Sequence, residues 1–315
     1  MRRTLLAAYL LAVALLGEAH AAERTYVLSQ AGAALSALDD GADKPSFSIA
    51  LDKAPAALAF GAKDGLAYVT HPDLGKVSAV DVAARRVVRS IPVQGSPFGI
   101  AAAKDGRLYV GDWNGAHVSV LDAAGGVPEH RIEVGRAPAH VLLSPDERLL
   151  FVANRESDSV SVIRTADLTV AATIHVGRAP FAMALSPDAA RLYIGNVQDG
   201  TVSVVDTGAL AVAETLASGA MPYGAAVTPD GTRLLITNQQ ASTVAVLGKT
   251  DPAATRIKVG GYPEGIAINS LGTRAYVANW FSDDVSVLDL GNLSEIRRIK
   301  CPAGPRGVAV WNGGP

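Results

Sequence analysis

Five histidines outside the first 21 residues, at positions 71, 117, 130, 140 and 175, are the side chains best suited to hold a metal or move a proton near neutral pH. Of these, His71 and His140, with Asp112 between them, form the one polar constellation the sequence offers. Two imidazoles and a carboxylate have the donor types of a zinc site or an acid–base pair, so the three stand as candidates. No catalytic assignment, metal site or cofactor is expected beyond that. A second group has a different chemistry: Phe98, Phe181 and Tyr223 would supply apolar walls, and Glu264 and Arg306 the few charges that orient a ligand. Trp113 and Trp280 could stack a planar ligand or anchor a protein, with Arg155 beside them in the repeat. No Gly-x-Ser-x-Gly elbow, His-Glu-x-x-His pair, Cys-x-x-Cys pair or phosphate-binding glycine loop occurs.

These residues can meet only if the chain carries them to one place, and its periodicity says how. Segments around Tyr26-Val27, Tyr68-Val69, Tyr109-Val110, Phe151-Val152, Tyr193-Ile194, Leu235-Ile236 and Tyr276-Val277 recur at spacings of 42, 41, 42, 42, 42 and 41. Repeats begin near 24, 66, 107, 149, 191, 233 and 274. Each holds four apolar or alternating runs bounded by turn formers such as Ser144-Pro145-Asp146 and Thr228-Pro229-Asp230-Gly231. Four short strands per unit of about 40 to 45 residues predict an all-β, seven-bladed β-propeller with four-stranded blades. The first repeat opens on a second strand (Thr25 to Ser29) and the last segment, Pro305 to Val310, is a lone first strand. The C-terminal strand is therefore expected to complete the N-terminal blade and close the ring.

The strings Tyr276-Val277-Ala278-Asn279, Val202-Ser203-Val204-Val205-Asp206 and Ile174-His175-Val176-Gly177, with the Ser186-Pro187-Asp188 turn, resemble the YVTN family of β-propeller repeats. The resemblance implies an exported bacterial propeller, with roles that range from ligand or nucleic-acid binding to accessory parts of quinone-cofactor oxidation systems. Similar seven-bladed rings also form lactonases and dehydrogenase subunits, and fold alone does not name a reaction. His71 and Asp112 depart from the pattern where Asn recurs, and Ile163-Arg164 where the strand usually ends in Asp.

Repeat alignment also sorts the candidates by face. In a propeller the loop entering the innermost strand and the loop after the second strand open on the same side. The position after each conserved Pro holds Ala56, Phe98, Ala139, Phe181, Tyr223, Glu264 and Arg306, and the next holds Ala57, Gly99, His140, Ala182, Gly224, Gly265 and Gly307. The second strands end at Ser29, His71, Asp112, Asn154, Asn196, Asn238 and Asn279, followed by Gln30, Pro72, Trp113, Arg155, Val197, Gln239 and Trp280. Glu264 and Arg306 then face each other from neighbouring blades. A surface ion pair worth ~0–1 kcal/mol is expected, with a ligand-binding pair at the channel mouth as the alternative. The recurrent Asn residues are expected to bond local backbone, His117 to open a third strand without a functional role, and Cys301 to be a small buried hydrophobe.

Composition bounds the rest. The chain has 315 residues, 49% of them hydrophobic and 5% aromatic, with a single Cys and a formal net charge of −2. It is too apolar for a disordered chain, has too little Cys for a disulfide scaffold, and lacks the basic field that holds nucleic acid. Single-stranded nucleic-acid binding through Trp113, Trp280 and Arg155 is accordingly the third reading. Arg2 and Arg3, the apolar run Leu5 to Leu16 and Ala19-His20-Ala21 read as a secretory signal over residues 1–21, of Sec type rather than twin-arginine, ahead of one propeller domain over 22–315. The expectation is a periplasmic or secreted monomer with no membrane-spanning segment after signal cleavage. It would bind a protein partner or small ligand without catalysis through Phe98, Trp113, His140, Arg155, Phe181, Tyr223, Glu264, Trp280 and Arg306. The alternative is a lactonase-like hydrolase or an accessory subunit of a quinoprotein dehydrogenase.

Overall fold

A computed structural model of the chain describes residues 23–39, 41–124, 130–248 and 255–313. The expected signal segment lies outside the described residues. Where the sequence alternates or runs apolar for four to seven residues the chain is extended, and the described residues form seven four-stranded antiparallel sheets. A 3-10 turn at Pro72–Leu74 is the one helical element among them, and no described helix is long and apolar enough to cross a membrane.

One blade shows the rule for all. In blade 5 the strands Pro180–Leu185, Arg191–Asn196, Thr201–Asp206 and Ala211–Ala217 pair in chain order from the axis outward. Burial peaks in the middle of the blade: the second and third strands are buried along most of their length, the innermost is half open toward the axis, and the outermost leaves all but one of its seven residues exposed. Valines, isoleucines and leucines of the two middle strands interlock with the next blade, as Ile194 and Leu192 do with Phe151 and Val160 of blade 4. Branched residues fit this position because each sheet is covered on both faces.

The seven innermost strands are Pro305–Trp311 of blade 1, then Leu58–Phe60, Pro97–Ala102, Pro138–Leu143, Pro180–Leu185, Pro222–Val227 and Pro263–Ile268 of blades 2 to 7. Each lies against the next around the axis, and Pro305–Trp311 lies against both Pro263–Ile268 and Leu58–Phe60. Crowding there explains three of the glycines. A Cβ on Gly224 would come within 2.2 Å of the Glu264 carbonyl oxygen, one on Gly265 within 2.6 Å of that of Arg306, and one on Gly99 within 2.8 Å of that of Ala139. The backbones of adjacent blades touch where these glycines stand.

Blade 1 closes the ring as its sequence phase requires. Pro305–Trp311 pairs antiparallel with Arg24–Ser29, from Arg24 opposite Trp311 to Ser29 opposite Pro305. The Trp311 indole then stacks on Phe60 of blade 2 at 4.8 Å between centroids, and Phe60 packs on Tyr26 at 5.0 Å. The first and last described strands thus satisfy each other's backbone groups, which leaves no open edge at the axis.

Candidate functional site

The approach to five of the seven innermost strands repeats one device. Ala137, Ala179, Met221 and Tyr262 hold φ between +51° and +59° immediately before a Pro, and Gly304 does so at +63° before Pro305. The carbonyls of these residues accept the N–H of the residue after the second strand: Arg155 to Ala137, Val197 to Ala179, Gln239 to Met221, Trp280 to Tyr262 and Gln30 to Gly304. After the Pro the ladder slips, with Pro180 opposite Asn196 but Met183 opposite Ile194, and equivalent slips after Pro97, Pro138, Pro222 and Pro263. Such a bulge redirects a side chain that regular pairing would send elsewhere. Here it turns the residue after the Pro into the axial channel.

Five of those residues come together there. Phe181 stacks on Tyr223 with centroids 4.0 Å apart and meets Phe98 edge-on at 6.1 Å, although Phe98 and Phe181 stand on blades 3 and 5. Arg306 reaches across from blade 1: its guanidinium lies 5.0 Å over the Phe98 ring, one Nη donates to Tyr223 Oη at 3.1 Å and the other to Gln30 Oε1 at 3.2 Å. Glu264 places Oε2 3.6 Å from Arg306 Nε, and Gln239 Nε2 donates to its Oε1 at 3.1 Å. These side chains, with His140, Met183 and small residues at the second layer, enclose a cavity of about 190 Å³ on the axis.

Backbone contacts between blades hold the constellation in place. Thr70 Oγ1 of blade 2 donates to the Phe98 carbonyl and Thr237 Oγ1 of blade 6 to the Glu264 carbonyl, each at 2.7 Å. His140 Nδ1 accepts the Met183 N–H at 2.9 Å, which puts the proton of the neutral imidazole on Nε2. Burial pushes the His140 pKa down to about 4, so the ring is neutral at pH 7.

The Glu264–Arg306 pair corrects the expectation of a surface ion pair. Glu264 is 5% exposed, and burial raises its carboxyl to about 7 against the opposing pull of Arg306 and Gln239. Glu264 Oε2 and Gln239 Oε1 are buried without a hydrogen-bond partner. Burial also lifts the Tyr223 phenol to about 12. Two acceptors out of water and unmatched cost of the order of 1–3 kcal/mol each, and a donor entering the channel would remove that cost at Glu264, which lines it.

The His71, Asp112 and His140 constellation does not form. His71 does the work of the Asn found elsewhere: Nδ1 donates to the Lys53 carbonyl and Nε2 accepts from Ser78 Oγ, both at 3.0 Å. Asp112 Oδ1 accepts the backbone N–H of Ser96 at 2.8 Å, and Oδ2 lies 3.7 Å from His117 Nε2. His117 opens the third strand of blade 3 and is half-buried beside that carboxylate. Among the described residues no three of His, Cys, Asp and Glu are grouped as a metal ion would need. The recurrent Asn residues also depart from expectation, because they bond across to the third strand: Asn154, Asn196 and Asn279 Nδ2 donate to Ser161, Ser203 and Ser286 Oγ at 2.8–2.9 Å. Cys301 is half-buried against the Tyr276 and Val285 cluster, with its thiol pushed up to about 12 by burial.

The candidate tryptophans, Trp113 and Trp280, part company. Trp113 packs on Phe98 at 4.5 Å under the Arg155 guanidinium at 5.8 Å, and so extends the channel rim. Trp280 stands on blade 7, with its ring edge at Gly304. Trp113, Arg155 and Trp280 therefore make no single stacking platform. Sequence alignment passed over Gln30 and Gln239, which orient Arg306 and Glu264. Their signal was positional, since both occupy the slot that holds Trp113, Arg155 and Trp280 in other repeats.

The family model of seven-bladed β-propeller lactonases matches residues 126–210, roughly a quarter of the chain. Solved structures match over far more. Hydrazine synthase of Kuenenia stuttgartiensis is 21% identical over 82% of this chain and 90% of that one, with a TM-score of 0.73. A functionally unknown protein of Desulfotomaculum acetoxidans is 14% identical over 91% and 98%, at 0.78. A protein of Lactobacillus plantarum is 17% identical over 92% and 99%, at 0.79. At these identities the likeness is one of fold, and the ring is a seven-bladed propeller. No curated protein matches the chain.

Proposed function

We propose that this is an exported, periplasmic propeller of the YVTN type that binds a small molecule at the mouth of its axial channel and does no chemistry on it. One observation carries the reading: five side chains after the recurring prolines, from five blades, converge on one cavity and leave the buried acceptor Glu264 Oε2 unmatched. Preorganised walls with a few placed polar groups make a binding site. The arrangement lacks the nucleophile and adjacent base that acyl transfer uses. The test is a native mass spectrum of the chain recovered from its own cell compartment, beside the Tyr223→Ala/Arg306→Ala double variant. A retained small molecule, lost in the double variant while the melting temperature holds, supports the reading. A molecule retained equally by both places the site elsewhere.

A second reading, a lactonase-like hydrolase, draws on the family match, whose residues include His140 and Phe181. It predicts hydrolysis of a lactone panel by the native chain and loss of that activity in His140→Ala. A panel left intact by the native chain would remove it.

A further inference from the structure

We propose that the axial cavity takes a neutral, planar, single-ring molecule whose edge carries an N–H donor beside a carbonyl acceptor: a cyclic amide or imide of the pyrimidine or lactam kind. The inference rests on the channel mouth being a ligand site and names the chemistry it selects.

Size comes first. A protein cavity of ~150 Å³ lined by apolar side chains takes up benzene, so about 190 Å³ admits one ring and a small substituent. Shape is next: the Phe181 and Tyr223 rings are stacked on each other at 4.0 Å with Phe98 edge-on, so a guest rests against the outer faces and edges of this aromatic group, which a flat ring covers best.

The polar edge decides the class. Arg306 has five N–H donors; one Nη–H goes to Gln30, one to Tyr223, and Nε is too far from Glu264 for a hydrogen bond. Stacking on Phe98 holds the remaining donors in a fixed plane. Beside them Glu264 Oε2 is a buried acceptor with no partner. A donor set and an acceptor 3.6 Å apart read a carbonyl and an adjacent N–H together, which is the edge of a cyclic amide. His140, whose ring proton sits on Nε2, adds one further N–H to the cavity wall.

Other classes match the edge less well. A carboxylate would satisfy Arg306 but meet Glu264 as a like charge, an ammonium group would reverse the conflict, and a plain hydrocarbon ring would leave both sides unmatched.

The experiment is calorimetric titration of the full chain at pH 8 with four single-ring probes: uracil, benzoate, benzylamine and toluene. Uracil should bind at least tenfold more tightly than the other three. Arg306→Met and Glu264→Met should each weaken uracil at least tenfold, with the melting profile checking that each variant is folded. Tighter binding of benzoate, benzylamine or toluene overturns the amide class and leaves the channel standing as a ligand site. If no probe binds, the amide class fails; a small molecule retained in the native mass spectrum would then keep the ligand-site reading, and a bare chain would end both.

Discussion

At the residue scale, two buried ionisable groups at the channel oppose each other. Glu264 has its carboxyl raised to about 7, so the folded chain holds that proton more tightly than the unfolded one, where the value is 4.5. Its contribution is complete below pH 4.5 and is lost as pH rises through 7. His140 runs the other way: depressed from 6.5 to about 4, it stabilises above 6.5 and loses that contribution as pH falls through 4. At 1.36 kcal/mol per unit each slope amounts to about 3 kcal/mol at most. Arg306 and Gln239 face the carboxyl, and the Met183 N–H faces the imidazole. Between pH 4.5 and 6.5 the native chain should therefore show a nearly flat stability. Glu264→Gln should unmask a rise with pH and His140→Gln a fall, both read by denaturant unfolding across that window. Parallel profiles for the two variants would refute the assignment.

The elements matter here because a strained turn and a bulge aim the site. Ala179 at φ +54° before Pro180 sits where an L residue is disfavoured by roughly 1–2 kcal/mol, and Phe181 enters the channel directly after it. Close blade contact sets the second constraint. Gly224→Ala puts a methyl 2.2 Å from the Glu264 carbonyl oxygen, so neither backbone can yield without moving Glu264, and a loss of about 1–3 kcal/mol is expected. Gly307→Ala meets only the Leu28 side chain at 3.4 Å and should change stability by less than about 1 kcal/mol. Equal losses in the two variants, measured by urea unfolding, would show that axial crowding is not the reason for these glycines.

For the whole molecule the ring is the unit of stability, because the last strand belongs to the first blade and touches two others. Deleting residues 304–315 removes the inner edge of blade 1, the backbone partner of Arg24–Ser29 and the Trp311 stack on Phe60. It also removes Arg306, whose side chain reaches blades 3, 6 and 7. The truncated chain should melt at a markedly lower temperature in one broadened transition, as followed by circular dichroism. An unchanged melting temperature would mean that the other six blades stand without closure.

Repeat spacing, strand alternation and turn chemistry determined by themselves that this chain is a seven-bladed propeller closed by its own C-terminus, since each unit's pattern demands the same four strands and leaves one strand missing at the start and one spare at the end. The same periodicity put Phe98, Phe181, Tyr223, Glu264 and Arg306 on one face. Only the tertiary structure decided which side chains touch. Register in the repeat gives a blade and a level, but reach depends on the bulge after each Pro and on how far a side chain crosses the axis. That is why Arg306 meets Phe98 two blades away and Trp280 meets neither. It is also why His71, Asp112 and His140, aligned by face, are held apart: the strand-end residues His71 and Asp112 turn into their own blades, toward Ser78 and His117, while His140, two residues past Pro138, lines the axial cavity. The depth of the Glu264–Arg306 pair was equally invisible in the sequence, because burial at the axis is created by seven strands arriving together.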